Sequence, residues 1–279
     1  QLDRISVPNS SPVSIMKQED LDGVAVKGLP PVCIFLACYV GAFDSLEPCI
    51  GEQLLLHDKG PVAVFAASRV SMPYAMSVMG DAMLRQCFRL REEVLGDIVT
   101  NAKRSLVVPQ AEDRTANRQL LDSLAGNLSP APGLLKEERE EHALMFNLLG
   151  DPLLRLNYPN GVKLSSLATA KIGEQLNVTF RAPVAGDAVL ELAAERGVQR
   201  FVPLKREQFD SEMGASYDDE YRRANDAVWL SSSWNQAAPG LVSRAIEIKD
   251  VKPGFQTVRL YLRGASQIYI GSKRIYVSD

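Results

Sequence analysis

The chain has 279 residues, enough for one large domain or two ordinary ones, and its 46% hydrophobic and 23% charged content is that of a folded globular protein. A net charge of -3 without a basic block excludes an electrostatic nucleic-acid binder. No apolar run reaches the length that spans a bilayer. Neither an initiating methionine nor a signal peptide opens at Gln1, so the chain reads as a fragment or a processed product.

Residues 1 to 30 are polar and irregular, with a short helix expected around Lys17 to Val24 and Ser14 and Asp20 as its caps. Val32 to Ala37 is apolar on both faces, as in a parallel sheet covered by helices. A helix follows over Cys49 to Leu56, Gly60-Pro61 ends it, and Val62 to Ala67 makes a second apolar strand. Strand, helix and strand in that space imply a parallel pair. The loop Ser68-Arg69-Val70-Ser71-Met72-Pro73 then lies on the same edge of the sheet as Cys38, where open α/β sheets place their ligand crevices. Helices are expected from about Pro73 to Leu90, Glu92 to Lys103, Arg114 to Ala125 and Leu134 to Leu149.

Past Gly150-Asp151-Pro152 the apolar residues alternate, in Leu176-Val178-Phe180, Leu190-Leu192, Ile246-Ile248, Val258-Leu260-Leu262 and Ile268-Ile270. With Gly, Pro and Asp between the runs, this is the pattern of an antiparallel sandwich. The stretch Phe201 to Pro239 reads as an insertion with an acidic, tyrosine-rich loop (Tyr217 to Tyr221) and an exposed Trp234. A domain boundary falls near residue 155.

All four cysteines (Cys33, Cys38, Cys49, Cys87) lie in the first third of the chain, at spacings that match no zinc pattern. A lone cysteine in an apolar strand is usually a small core side chain, and Cys33, Cys49 and Cys87 are read so. Cys38 ends its strand just ahead of a helix, where α/β folds place a nucleophile. Neither histidine is well placed to serve it. His57 sits at a helix end on the far edge of the sheet, and His142 belongs to a charged, surface-type helix.

Ala37-Cys38, Gly41-Ala42-Phe43-Asp44 and Pro48-Cys49-Ile50-Gly51-Glu52 together resemble the catalytic-cysteine segment of the gingipain-type peptidases. Val62 to Ser68 is similar to that family's next core strand, and Phe146 to Pro152 resembles the Gly-Asp-Pro junction that closes its catalytic domain. The likeness covers most of residues 30 to 155. It implies an α/β fold: a caspase-like parallel-sheet αβα domain, N-terminally incomplete, over residues 1–154. An all-β immunoglobulin-like sandwich follows over residues 155–279.

The resemblance also implies a cysteine endopeptidase with a Cys-His dyad and Cys38 as nucleophile. Its backbone N–H and one beside the histidine would hold the oxyanion, and the helix following Cys38 would favour thiolate. The family's histidine, in a His-Gly pair, precedes the cysteine by a few dozen residues. It is therefore expected upstream of Gln1, and the chain as given is expected to be inactive. Ser68 and Arg69 fall where the family builds its primary specificity pocket. Residues 62 to 80 contain no acid, so a preference for Arg or Lys lacks support, and Arg69 would favour an acidic or polar residue. The partner is a protein or peptide substrate and the location extracellular or cell-surface. No cofactor is implied; the acids at 217 to 220 could bind calcium but lack the ligand spacing, which leaves a solvated loop. The alternatives are an inactive surface or secretion-assembly module that kept the fold, and an intracellular caspase-like peptidase.

Overall fold

The computed structural model describes residues 16, 18–24, 26, 28–108, 111–202 and 214–279, and the chain divides into two units between Leu156 and Asn157. The first is built around β2 (Ala63–Ala67), whose five side chains are all buried. β1 (Val32–Phe35) pairs with it in parallel, Val32 opposite Ala63 and Phe35 opposite Ala66, and α1 (Ile50–Leu56) lies in the connection. The expected parallel pair is therefore present.

Among the described residues the sheet is mixed, not parallel. Its third strand is β3 (Phe146–Gly150), antiparallel to β2 with Phe146 opposite Ala67. The helix expected over Leu134 to Leu149 ends at Met145 in α5 (Leu135–Met145). Leu144 and Leu148 keep a helical spacing, but tertiary packing overrides it. Phe146 is fully buried with its ring centroid 5.5 Å from that of Phe65, and the ladder to β2 takes the backbone.

The other α-helices among the described residues of this unit are α2 (Pro73–Leu84), α3 (Leu95–Val107) and α4 (Ala116–Leu128). The segment expected as one helix to Leu90 leaves α-geometry at Arg85 and makes a π-helical turn over Arg85–Leu90, closed by Arg91 in the left-handed region at φ 56°. α3 starts at Leu95, later than expected, because residues around the Gly150-Asp151-Pro152 junction supply its first acceptors. Leu95 N–H donates to the Leu154 carbonyl at 2.9 Å and Gly96 N–H to the Pro152 carbonyl at 2.8 Å. Phe65, Met79, Met83, Ile98, Leu106 and Phe146 form the core on one face of the sheet. Val40, Val64 and Ala66 pack with Ile50 and Leu55 of α1 on the other. A 3-10 helix at Gln18–Gly23 stands where the short N-terminal helix was expected and includes Asp20, while Ser14 lies outside the described residues.

The second unit is a β-sandwich. β4 (Asn160–Gly161), β11 (Ile268–Ser278), β10 (Gly254–Arg263), β7 (Gly186–Ala194) and β8 (Val228–Gln236) form one sheet in that order, with β5 (Thr169–Lys171) also on β11. β6 (Gln175–Ala182) and β9 (Gly240–Glu247) form the other. The inward residues of the alternating runs, among them Val178, Phe180, Leu190, Val258 and Leu260, make a single core between the two sheets.

Two expectations here are corrected. Residues 217 to 221 are not a loop but part of helix α6 (Gly214–Asn225), where Asp219 pairs with Arg222 and Arg223 at helical spacing. Trp234 is half-buried, covered by the Arg244 guanidinium 4.5 Å from its ring and set 6.2 Å from Phe180. Among the described residues, no group of three or more His, Cys, Asp or Glu side chains is placed to hold a metal, and no helix is long and apolar enough to cross a membrane.

Candidate active site

β1 ends at Phe35, yet the chain keeps its hold on β2 for one more turn. Tyr39 N–H donates to the Arg69 carbonyl at 3.2 Å and Gly41 N–H to the Ala67 carbonyl at 2.9 Å. Cys38 thus stands on a turn tied to the loop that leaves β2. The next residue, Tyr39, adopts φ 60°, a left-handed conformation that costs a non-glycine side chain about 1–3 kcal/mol and is found where a fold forces a side chain into position. Close packing holds the turn from beneath. A Cβ on Gly41 would lie 3.0 Å from both the Cβ and the carbonyl oxygen of Ala66. One on Gly51 would lie 2.7 Å from the Val40 oxygen, to which the Gly51 N–H itself donates at 2.8 Å.

Ser71 surrounds the Cys38 sulfur with three polar groups. Its backbone N–H donates to Cys38 Sγ at 3.3 Å, its hydroxyl stands 3.5 Å from Sγ, and its carbonyl accepts from the thiol at 3.5 Å. Burial alone pushes the Cys38 thiol up, but the Ser71 hydroxyl and N–H stabilise the thiolate, and the net pKa lies below that of an ordinary thiol. Burial pushes Cys33 and Cys49 the other way. Cys49 is the residue before α1, its N–H donating to Glu52 at 2.9 Å, and Cys87 is buried in the helical core; both are packing residues. The groups placed against the Cys38 sulfur come from Ser71, just ahead of α2. α1 begins only at Ile50 and its Gly51 N–H is taken by Val40, whereas Ser71 leads directly into α2.

The other predicted site residues divide. Arg69 lies beside the cysteine turn, but Asp44 of that same turn occupies its guanidinium, with Nη1 donating to Asp44 Oδ1 at 2.9 Å and Nη2 to Oδ2. Ser68 is buried, and both its N–H and its hydroxyl donate to the Met145 carbonyl, at 2.9 and 3.0 Å. It secures the loop to α5. His57 follows α1, its Nδ1 accepting from the Lys59 N–H at 3.1 Å.

His142 departs most from expectation. It is fully buried, not on a solvated face, and its Nε2 accepts from the Met72 N–H at 2.8 Å while Nδ1 sits 2.6 Å from the Glu138 carbonyl. A carbonyl partner requires hydrogen on Nδ1 and an N–H partner requires a lone pair on Nε2, so these contacts assign the neutral Nδ1–H tautomer. Ser71, Met72 and Tyr39 carry site geometry that no motif in the sequence announced. Beyond Ser71, an apolar groove of about 290 Å³ opens between α2 and α4, lined by Met72, Tyr74, Leu121, Leu124 and Leu128.

Fold and site together describe an α/β unit with the Cys38 thiol at the edge of its sheet, beside the loop that leaves β2. The chain belongs to peptidase family C25, the gingipain family, whose family model matches residues 6–157. Membership of a cysteine peptidase family implies a protein or peptide substrate. Among curated proteins none matches. Among solved structures, dimeric latent PorU from Porphyromonas gingivalis is 16% identical with a TM-score of 0.32, over 67% of this chain and 16% of PorU. The human F-spondin reeler domain is 12% identical with a TM-score of 0.28, over 44% of this chain and 94% of that domain. The sulfur carrier protein SoxY from Chlorobium limicola is 10% identical with a TM-score of 0.24, over 44% of this chain and 87% of SoxY. All three are weak likenesses.

Proposed function

We propose that this chain carries the nucleophile-bearing part of a cysteine endopeptidase with a caspase-like catalytic domain, Cys38 being the nucleophile. One observation carries the reading. Ser71 N–H and Oγ converge on the sulfur of a cysteine held at the sheet edge by a left-handed residue. The Cys38 thiolate attacks the scissile carbonyl carbon, forming the C–S bond as the carbonyl electrons move to oxygen. Collapse expels the amine, which takes its proton from a histidine, and water then releases the acyl group.

That histidine comes from outside these 279 residues. The sequence holds two, and both are engaged elsewhere: His57 by Lys59, and His142 by Met72 and Glu138. In this reading the second unit, two sheets around one core, is an immunoglobulin-like sandwich, and the protein acts outside the cell or on its surface, as the family suggests. Ser68 and Arg69 border the substrate-binding edge, with the Ser68 hydroxyl donating to the Met145 carbonyl and the Arg69 guanidinium paired with Asp44. The engagement of both histidines favours one second reading, a non-catalytic module that retains the thiol turn. Peptide cleavage by a full-length protein decides between them. Activity abolished by Cys38→Ser supports the peptidase, and activity that survives the substitution removes Cys38 from the chemistry.

A further inference from the structure

The loop that reaches Cys38 is mounted on one face of α5. Three α5 residues at helical spacing grip it from below. Glu138 Oε1 accepts from the Ala75 N–H at 2.9 Å, His142 Nε2 accepts from the Met72 N–H at 2.8 Å, and the Met145 carbonyl accepts from Ser68 N–H and Oγ. Ala75 and Met72 belong to the first turn and cap of α2, whose N–H groups have no partner within their own helix. Glu138 and His142 therefore do what a capping side chain does, but from another helix.

Of the three, His142 grips the residue next to Ser71. It is itself held by the Glu138 carbonyl at Nδ1 and by the Phe146 ring, 6.0 Å away between centroids. The chain of contacts runs from α5 through His142 Nε2 to the Met72 N–H. It then passes along one peptide to Ser71, whose N–H lies 3.3 Å from Cys38 Sγ.

We infer that His142 is a positioning residue for the nucleophile: it fixes the Ser71–Met72 peptide so that the Ser71 N–H and hydroxyl stay aimed at the Cys38 sulfur. The inference rests on the reading of Cys38 as nucleophile. It gives the second histidine a task in the site that is neither general base nor surface charge. It also explains a fully buried imidazole directly after the charged run Glu137 to Glu141. A neutral Nδ1–H imidazole offers a donor to one side and an acceptor to the other in a rigid ring, which matches the two backbone groups present.

The test uses two substitutions of similar size and polarity in the 279-residue chain. In His142→Gln the side-chain oxygen can reach the position of Nε2 and accept from Met72. In His142→Asn the shorter side chain reaches only the Nδ1 position. The readout is the pH profile of Cys38 alkylation by iodoacetamide, followed by peptide mass mapping. His142→Asn is expected to move the profile to higher pH and slow labelling at neutral pH roughly three- to tenfold, the effect of one hydrogen bond on the thiolate fraction. His142→Gln is expected to restore most of it. Equal profiles for wild type, Asn and Gln overturn the positioning role if Ser71→Ala still shifts the profile. If Ser71→Ala shifts nothing either, the activated-thiol reading fails with it. Amide exchange of Met72 in the unsubstituted protein gives a second arm that needs no variant to fold. Strong protection is expected, and exchange as fast as in open loops overturns the inference.

Discussion

Arg69 and Asp44 clasp each other in a two-pronged ion pair across the cysteine turn, joining the loop after β2 to the segment after Cys38. Both side chains are about half exposed, so the pair is a surface contact whose geometry matters more than its strength. It takes up the guanidinium that the sequence offered as a substrate-binding group. The Arg69 hydrogen bonds hold the Asp44 carboxyl below the usual carboxylate range. A carboxyl with a depressed folded pKa gives a contribution that is present above its unfolded pKa and is lost as pH falls through its folded one. The clasp is expected to hold at neutral pH and to open below the ordinary carboxylate range. Asp44→Asn should reproduce the open state at neutral pH. Proteolytic nicking of the 41–48 segment reads this out: a faster rate in Asp44→Asn than in wild type is expected, and equal rates contradict it.

Three of the four cysteines, Cys38, Cys33 and Cys49, should separate by reactivity. Cys38 is more acidic than an ordinary thiol, while burial makes Cys33 and Cys49 less so. Under limiting iodoacetamide near neutral pH, mass mapping is expected to show Cys38 labelled well before the other two. Comparable rates for Cys38 and Cys33 would contradict an activated thiolate. The linkage runs in a definite direction. Folding lowers the Cys38 pKa, so the unfolded chain holds this proton more tightly, and the cysteine adds stability as pH rises through the thiol range. The stability difference between wild type and Cys38→Ser is expected to grow over that same rise.

The parts legible in the sequence were those with a strong period or a strong stop. β1 and β2 were visible as continuous apolar runs, and the sandwich through alternation such as Val258-Leu260-Leu262, because each pattern follows from which faces are buried. β3 was hidden because Leu144 and Leu148 extend the helical spacing of α5, and only the fit of Phe146 against Phe65 reverses the chain into the sheet. Cys38 was singled out by its place just past an apolar run, on the turn that follows β1. The loop holding Ser71 could be placed on the same edge, but not which of its residues meets the sulfur; His142 could not be found, because it meets Met72 from a helix some seventy residues on, and no local pattern records that Met72 needs an acceptor. The run Glu137 to His142 shows charge, which conceals that one face of it is buried.

Gly51 is predicted to be intolerant of any side chain. A Cβ there would lie 2.7 Å from the Val40 carbonyl oxygen, a backbone atom that cannot swing aside as a side chain could. Gly51→Ala must push α1 away from the 38–41 turn and weaken the bond from its own N–H to Val40. A loss of about 1–3 kcal/mol is expected, the usual cost of overpacking. Cys38 labelling should also slow, because the turn that presents it shifts. Urea unfolding together with the alkylation assay checks both effects. An unchanged midpoint would show that α1 is not seated on the turn as described.

Gln256 tests the second unit. It occupies an inward position of β10, in line with Val258, Leu260 and Leu262, where the sheet pattern calls for an apolar residue. Its side chain is 2% exposed and has two partners, with Oε1 accepting from Trp229 Nε1 at 2.9 Å and Nε2 donating to the Lys252 carbonyl at 2.7 Å. Replacing it by leucine preserves volume but leaves an indole N–H and a backbone carbonyl without their partner. Such a loss typically costs about 1–3 kcal/mol, which a gain in apolar contact only partly offsets. Gln256→Leu is expected to lower the urea midpoint of the transition reported by tryptophan fluorescence. A midpoint equal to or above wild type would mean that the amide is dispensable and that packing alone holds β10 against Trp229.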